Sequence, residues 1–191
     1  MLEKMPAELG RALRGIRAGY DRIVSESADF ADVPELIALE SPAFADGAAM
    51  PARYTADGEK LSPPLRWRGA IEDATSLVLI VEDPDAPTPD PLVHLLAWGI
   101  PATLNELPQG HFKSPHHEGE DEILGRNGDG QPDWLPPDPP RGHGPHLFVF
   151  QLFALDRRLG FDNHPTRAEV VAAMQGHVLA KGTLIGTYER A

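Results

Sequence analysis

The sequence predicts an all-β fold: a sandwich of antiparallel sheets with Greek-key-like connections and a few peripheral helices. Three observations carry this. Ser76–Val81, Val93–Ile100 and His146–Leu155 are apolar runs of strand length, rich in β-branched and aromatic residues. Turn chemistry separates them, with 20 prolines and 18 glycines spread over 191 residues. Only one late segment carries a full helix start signal, Thr166 followed by Glu169 before an apolar stripe. Several short strands with one well-capped helix form a sandwich more readily than an alternating α/β sheet.

Taken in order, residues 2–24 place Leu2, Met5, Leu9, Leu13, Ile16, Tyr20 and Val24 on one helical stripe. Gly10, Gly15 and Gly19 each weaken such a helix by up to ~1 kcal/mol, so it needs a surface to pack on. That surface is its own domain, a second subunit or, third, a membrane surface, for which the cationic face is thin; a homodimer is one expectation. From Ile37 the chain reads as strands: Ile37–Phe44, a turn at Asp57-Gly58, then the three apolar runs. The late helix carries Val170, Val171, Met174, Val178 and Leu179, and Thr183–Tyr188 supplies a last strand. Leu107–Pro145 fits no element. Its Trp134 and phased prolines predict an ordered, functional loop. The organisation expected is an N-terminal helical extension over residues 1–36 and one domain over 37–191.

Composition excludes several functions. A net charge of −12 opposes binding to nucleic-acid phosphates. No stretch approaches the ~18 apolar residues of a membrane span, and the N-terminal pattern is not that of a signal peptide, so a cytoplasmic location is expected. There is no cysteine, hence neither disulfide nor thiolate chemistry. None of the six serines sits in a nucleophile elbow, which argues against a serine hydrolase.

Polar groups concentrate at three strand ends. Asp83-Pro84-Asp85-Ala86-Pro87 follows an apolar strand, and its prolines hold two carboxylates in a rigid turn. His94 interrupts an apolar run; strict alternation puts it with Leu96 and Trp98, opposite Val93, Leu95 and Ala97. His146 opens the aromatic strand on the face of Phe148 and Phe150. Each alone is more often a solvated turn or a satisfied core histidine than a ligand contact. Together they could form an anion site, in which protonated imidazoles donate to phosphate or carboxylate. His143 and His146 with Asp83 or Asp85 could in principle hold a metal, although Gly144-Pro145 rules out a two-histidine helical face. No metal or cofactor is expected. The pair His116-His117 reads as a solvated loop.

Asp83–Pro87 (DPDAP), the histidine-bearing strand after it, and Pro139–His146 (PPRGHGPH) before an aromatic strand resemble the phosphatidylethanolamine-binding protein family. Leu107–Gly110, Gly125-Arg126-Asn127 and Gly176–Ala180 with Gly186-Thr187-Tyr188 are similar to its bacterial, Raf-kinase-inhibitor-like branch. The resemblance spans about residues 37–191. It implies a β-sandwich, no enzymatic activity, and a pocket for phosphate, acetate or a phosphoethanolamine-like headgroup. Asp83, Asp85, Pro87, His94, His146 and Phe148 would then form that pocket, with Pro139 and Pro140 as wall. It also implies regulation of a kinase or protease partner by binding, and often a dimer. The chain departs from the family in reading His146-Leu147-Phe148 where His-Arg-Tyr is usual, and Leu92 where a tryptophan is common.

Overall fold

A computed structural model describes residues 6–69, 72–113 and 124–190. His116 and His117 lie outside the described residues. Two antiparallel sheets form the body. The smaller contains β1 (Ala38–Glu40), β2 (Leu65–Arg68) and β5 (Glu106–Leu107) in the order β1-β2-β5. The larger contains β3 (Ser76–Asp83), β4 (Leu92–Pro101), β6 (His146–Leu155) and β7 (Val178–Tyr188) in the order β4-β3-β6-β7. The all-β fold class read from the sequence is the one observed.

The main core lies between the sheets. Leu39, Leu65, Trp67 and Leu107 of the small sheet meet Leu77, Leu79, Val81, Leu95, Phe148, Phe150 and Leu152 of the large one. The large sheet is buried on its other face too. There Val78, Ile80, Leu96 and Phe153 pack against Val24, Phe30, Val170 and Met174. This double burial explains why β3 and β6 read as continuous apolar runs rather than alternating ones.

The helix α2 (Arg167–Met174) begins where its capping box predicts. The Thr166 side chain accepts from the Glu169 N–H, and the Glu169 carboxylate accepts from the Thr166 N–H at 2.7 Å. It stops earlier than the apolar stripe suggested. Gly176 takes a positive φ of 75°, and Val178 and Leu179 belong to β7. The N-terminal helix is shorter still. Of the stripe over 2–24, residues 2–5 lie outside the described residues; α1 covers Ala7–Leu13, and two 3₁₀ turns follow at Tyr20–Arg22 and Val24–Glu26. β2 and β5 carried too few residues to show a period.

Residues 23–31 are anchored by buried polar groups beneath the large sheet. The Glu82 carboxylate, fully buried, accepts from the Val24 N–H at 2.9 Å, Gln151 Nε2 at 2.8 Å and Arg167 Nε at 2.5 Å. Lys181 Nζ donates to the carbonyls of Ser25, Phe30 and Ala31 at 2.9–3.1 Å. Each buried charge is thus satisfied by several hydrogen bonds.

Candidate functional site

The site forms at one end of the large sheet because of an irregularity in β4. Val81 pairs with Leu95 and Glu82 with Val93, so His94 is an extra residue facing no partner of its own. A bulge of this kind re-aims a side chain. Leu95 and Ala97 keep their places between the sheets, and His94 joins them, packed edge-on against Phe148 at 5.0 Å. Strict alternation had put His94 on the opposite face, with Leu96 and Trp98.

The bulge is held by the long loop. His94 Nδ1 donates to the Leu135 carbonyl at 2.7 Å, and the Leu135 N–H donates back to the His94 carbonyl at 2.9 Å. Gly125 and Gly128 N–H groups bond the carbonyls of Leu96 and Val93, so residues 124–135 cover the edge of β4. Asn127 folds this cover. Its side chain donates to Asp133 and accepts from the N–H groups of Asp129 and Gln131.

A cavity of about 40 Å³ results, lined by Asp83, Leu92, His94, Asp129, Leu135, Pro136 and Asp138. Larger surface hollows lie elsewhere, one of about 600 Å³ beside Trp98 and Phe161 and one of about 290 Å³ beside Trp67 and Leu104. Of these three, it is the small cavity that gathers the strand-end ionisable residues. Nδ1 of His94 is committed as a donor, which leaves Nε2 of the neutral ring as an acceptor. Nε2 is buried with no hydrogen-bond partner among the described residues. Burial holds the His94 pKa below the usual histidine range, against the raising effects of Asp83 and the Leu135 carbonyl. The protonated donor expected at this position is therefore a neutral acceptor.

Asp83 and His146 stand together behind the cavity. His146 Nδ1 lies 2.7 Å from Asp83 Oδ2, and both are buried. His146 Nε2 meets His143 Nδ1 at 2.8 Å, and His143 Nε2 meets the Leu13 carbonyl at 2.9 Å. Since a carbonyl only accepts, His143 Nε2 carries a proton. Burial, then the neighbouring His146, holds the His143 pKa low and keeps that ring neutral. Its Nδ1 is then an acceptor for His146 Nε2–H. The contact between His146 Nδ1 and Asp83 Oδ2 completes this relay.

The remaining candidates take other places. Asp85 does not border the cavity: it accepts from the Leu147 N–H at 2.8 Å and pairs with Arg17 at 2.5 Å. Phe148 is a fully buried ring between His94 and His146. Pro139 and Pro140 are buried in the loop, and Pro87 is half-buried in its turn; none of the three borders the cavity. The wall is made instead by Leu135, Pro136 and Asp138. Asp138 is paired with Arg190, which is itself buried and also forks onto Asp57. Sequence reasoning noted Leu92 only as a departure from the family and missed Asp129, Leu135, Pro136 and Asp138. Their one signal was membership of the Pro/Gly-rich loop or of the strand start beside it. His143 was weighed only as a metal ligand. Among the described residues no group of three or more His, Cys, Asp or Glu is placed to hold a metal ion.

Comparison with known proteins shows the family. A family model described as phosphatidylethanolamine-binding protein matches residues 40–189. A UPF0098 protein of Pyrococcus abyssi is 42% identical over 155 residues, 78% of this chain and 84% of the relative. A UPF0098 protein of Archaeoglobus fulgidus is 35% identical over 182 residues, 95% of this chain and 61% of the relative. Among solved structures, a phosphatidylethanolamine-binding protein homologue of Chlamydia trachomatis superposes with a TM-score of 0.73 at 31% identity, covering 82% of this chain and 99% of that one. YbcL of Escherichia coli, described as a member of the mammalian family, gives 0.74 at 26% identity with the same coverage.

Proposed function

Because this chain belongs to the phosphatidylethanolamine-binding protein family, we propose that it binds a small oxyanion or the tip of a phospho-headgroup at the Asp83–His94 cavity, without turnover, and that the ligand enters together with a proton. One observation carries the reading: the buried, unpartnered acceptor His94 Nε2 beside Asp83. A buried polar atom left unsatisfied in the free protein is a cost that a ligand hydroxyl removes. Three carboxylates border the cavity, those of Asp83, Asp129 and Asp138. A fully ionised anion is repelled there, whereas a monoprotonated phosphate, a carboxylic acid or a phosphoethanolamine monoanion brings its own donor. A space of about 40 Å³ takes one small polar group and leaves the rest of a lipid outside.

Asp83 and Asp138 are each paired, with His146 and Arg190, which reduces the repulsion that the ligand meets. Regulation of a kinase or protease partner, as in a Raf-kinase-inhibitor-like protein, would follow if occupancy altered the loop over residues 124–145 that forms the cavity wall. The test is calorimetric titration of phosphate, acetate and phosphoethanolamine into wild type and His94→Leu. Binding to wild type that weakens at least tenfold in the variant supports the reading. Binding indifferent to His94 removes it.

A further inference from the structure

The site is built on by a segment outside the family match. Residues 7–19 lie across the loop that follows Asp83 and the loop that precedes His146. The Ala18 and Gly19 N–H groups donate to the carbonyls of Ala86 and Pro84 at 3.1 and 2.9 Å. Arg17 reaches both loops at once, pairing with Asp85 at 2.5 Å and donating to the Pro145 carbonyl at 3.2 Å. Arg14 donates to the Gly142 carbonyl at 3.2 Å. Packing against the second loop is close: a Cβ on Gly10 would stand 2.0 Å from the Arg141 carbonyl oxygen, and one on Gly142 would stand 2.8 Å from the Ala7 carbonyl oxygen. The last carbonyl of α1, that of Leu13, accepts from Ile16 N–H and from His143 Nε2–H.

We propose that residues 7–19 act as a strap and that His143 is the positioning residue through which it governs the pocket: the Leu13 carbonyl sets the tautomer of His143, and His143 then orients His146 against Asp83. The proposal rests on the pocket reading above for its functional consequence, but the strap itself is judged without a ligand. The chain Asp83–His146–His143–Leu13 has three hydrogen bonds and runs from the cavity wall to the N-terminal helix. Without the Leu13 acceptor, His143 is free to hold its proton on Nδ1, which then confronts His146 Nε2–H donor to donor. His146 would have to turn or change tautomer, and either change alters the ring that faces Asp83 at the cavity wall. Protonating His143 has the same effect. The charged groups that act on it are Arg17 and His146, the latter paired with Asp83; Arg14 ties the carbonyl of the neighbouring Gly142. Arg17 opposes that protonation, and His143 Nε2–H stays on the Leu13 carbonyl in either state, so acid disturbs His146 before it frees the strap.

Two substitutions separate the two bonds of His143. In His143→Asn the amide oxygen can occupy the place of Nδ1 and accept from His146, but nothing reaches Leu13. In His143→Gln the amide nitrogen can occupy the place of Nε2 and donate to Leu13, but nothing accepts from His146. Gly10→Val displaces the strap with the histidines intact; if that variant does not fold, Arg14→Ala with Arg17→Ala removes its side-chain ties instead. In full-length protein, hydrogen exchange over residues 7–19 reports the strap, ring-nitrogen resonances report the tautomers, and phosphate titration reports the pocket. We expect exchange at least tenfold faster in Gly10→Val and His143→Asn and near wild type in His143→Gln. His146 ring signals should shift in Gly10→Val and His143→Gln, with phosphate binding weakened threefold to tenfold, and stay near wild type in His143→Asn. Wild-type His146 signals in both Gly10→Val and His143→Gln overturn the proposal. If phosphate fails to bind wild type, the pocket reading falls, and the ring signals alone decide the strap.

Discussion

Affinity for a phosphomonoester should rise as pH falls from 8 to 6, and His94→Leu should abolish most of the binding. His94 Nε2 is a neutral acceptor in the free protein, and the cavity otherwise presents carboxylates. The ligand species that fits is therefore the monoanion, with a P–OH to donate. With a second phosphate pKa near ~6, that species is roughly 1% of the total at pH 8 and about half at pH 6, so apparent affinity should rise about fifty-fold. A dianion that protonates His94 on binding would give the same sign, since it too takes up one proton. Satisfying a buried, unpartnered acceptor is worth ~1–3 kcal/mol, or roughly 5- to 150-fold in affinity, and this is what His94→Leu removes. The assay is calorimetry with phosphoethanolamine at several pH values, in two buffers of different ionisation enthalpy to count protons. Affinity that is flat or rises with pH, or binding with no proton uptake, refutes the reasoning.

Three further outcomes follow from the structure. Arg190→Gln should destabilise the protein by ~2–3 kcal/mol, below the ~3–5 kcal/mol of a fully buried pair because Asp57 is a third exposed; chemical denaturation checks it. Arg190 also holds the Asp57 pKa below the usual carboxylate range, so this stability is present above the ordinary carboxylate pKa and is lost as pH falls from there through the lowered one. The gap between wild type and variant should accordingly close towards acid pH. Thr166→Ala removes the capping box and should cost ~0.5–2 kcal/mol, read as a lower midpoint of thermal unfolding. Gly182→Ala would put a Cβ 2.1 Å from the Ile37 carbonyl oxygen and should cost more than ~3 kcal/mol, with faster hydrogen exchange in β7; an equally stable variant would contradict the close approach of residues 34–37 to that strand.

What the sequence determined by itself is the part governed by local chemistry. The capping box at Thr166 and Glu169, the apolar strands β3, β4 and β6, and the rigid turn at Asp83–Pro87 each depend on neighbours within a few residues, so their residue types announce them. The extent of α1 and the end of α2 depended on packing and on one left-handed glycine, and periodicity overran both. The face of His94 was decided by register: one unpaired residue in β4 against β3 moves every side chain before it to the other face, and no pattern within β4 marks that residue. The roles of His143, Asp138 and Arg190 were illegible for a related reason. His143 binds a carbonyl 130 residues away, and Arg190 binds carboxylates 133 and 52 residues away. Partnerships at that separation exist only once the sandwich has closed, because closure removes the water that would otherwise satisfy those groups.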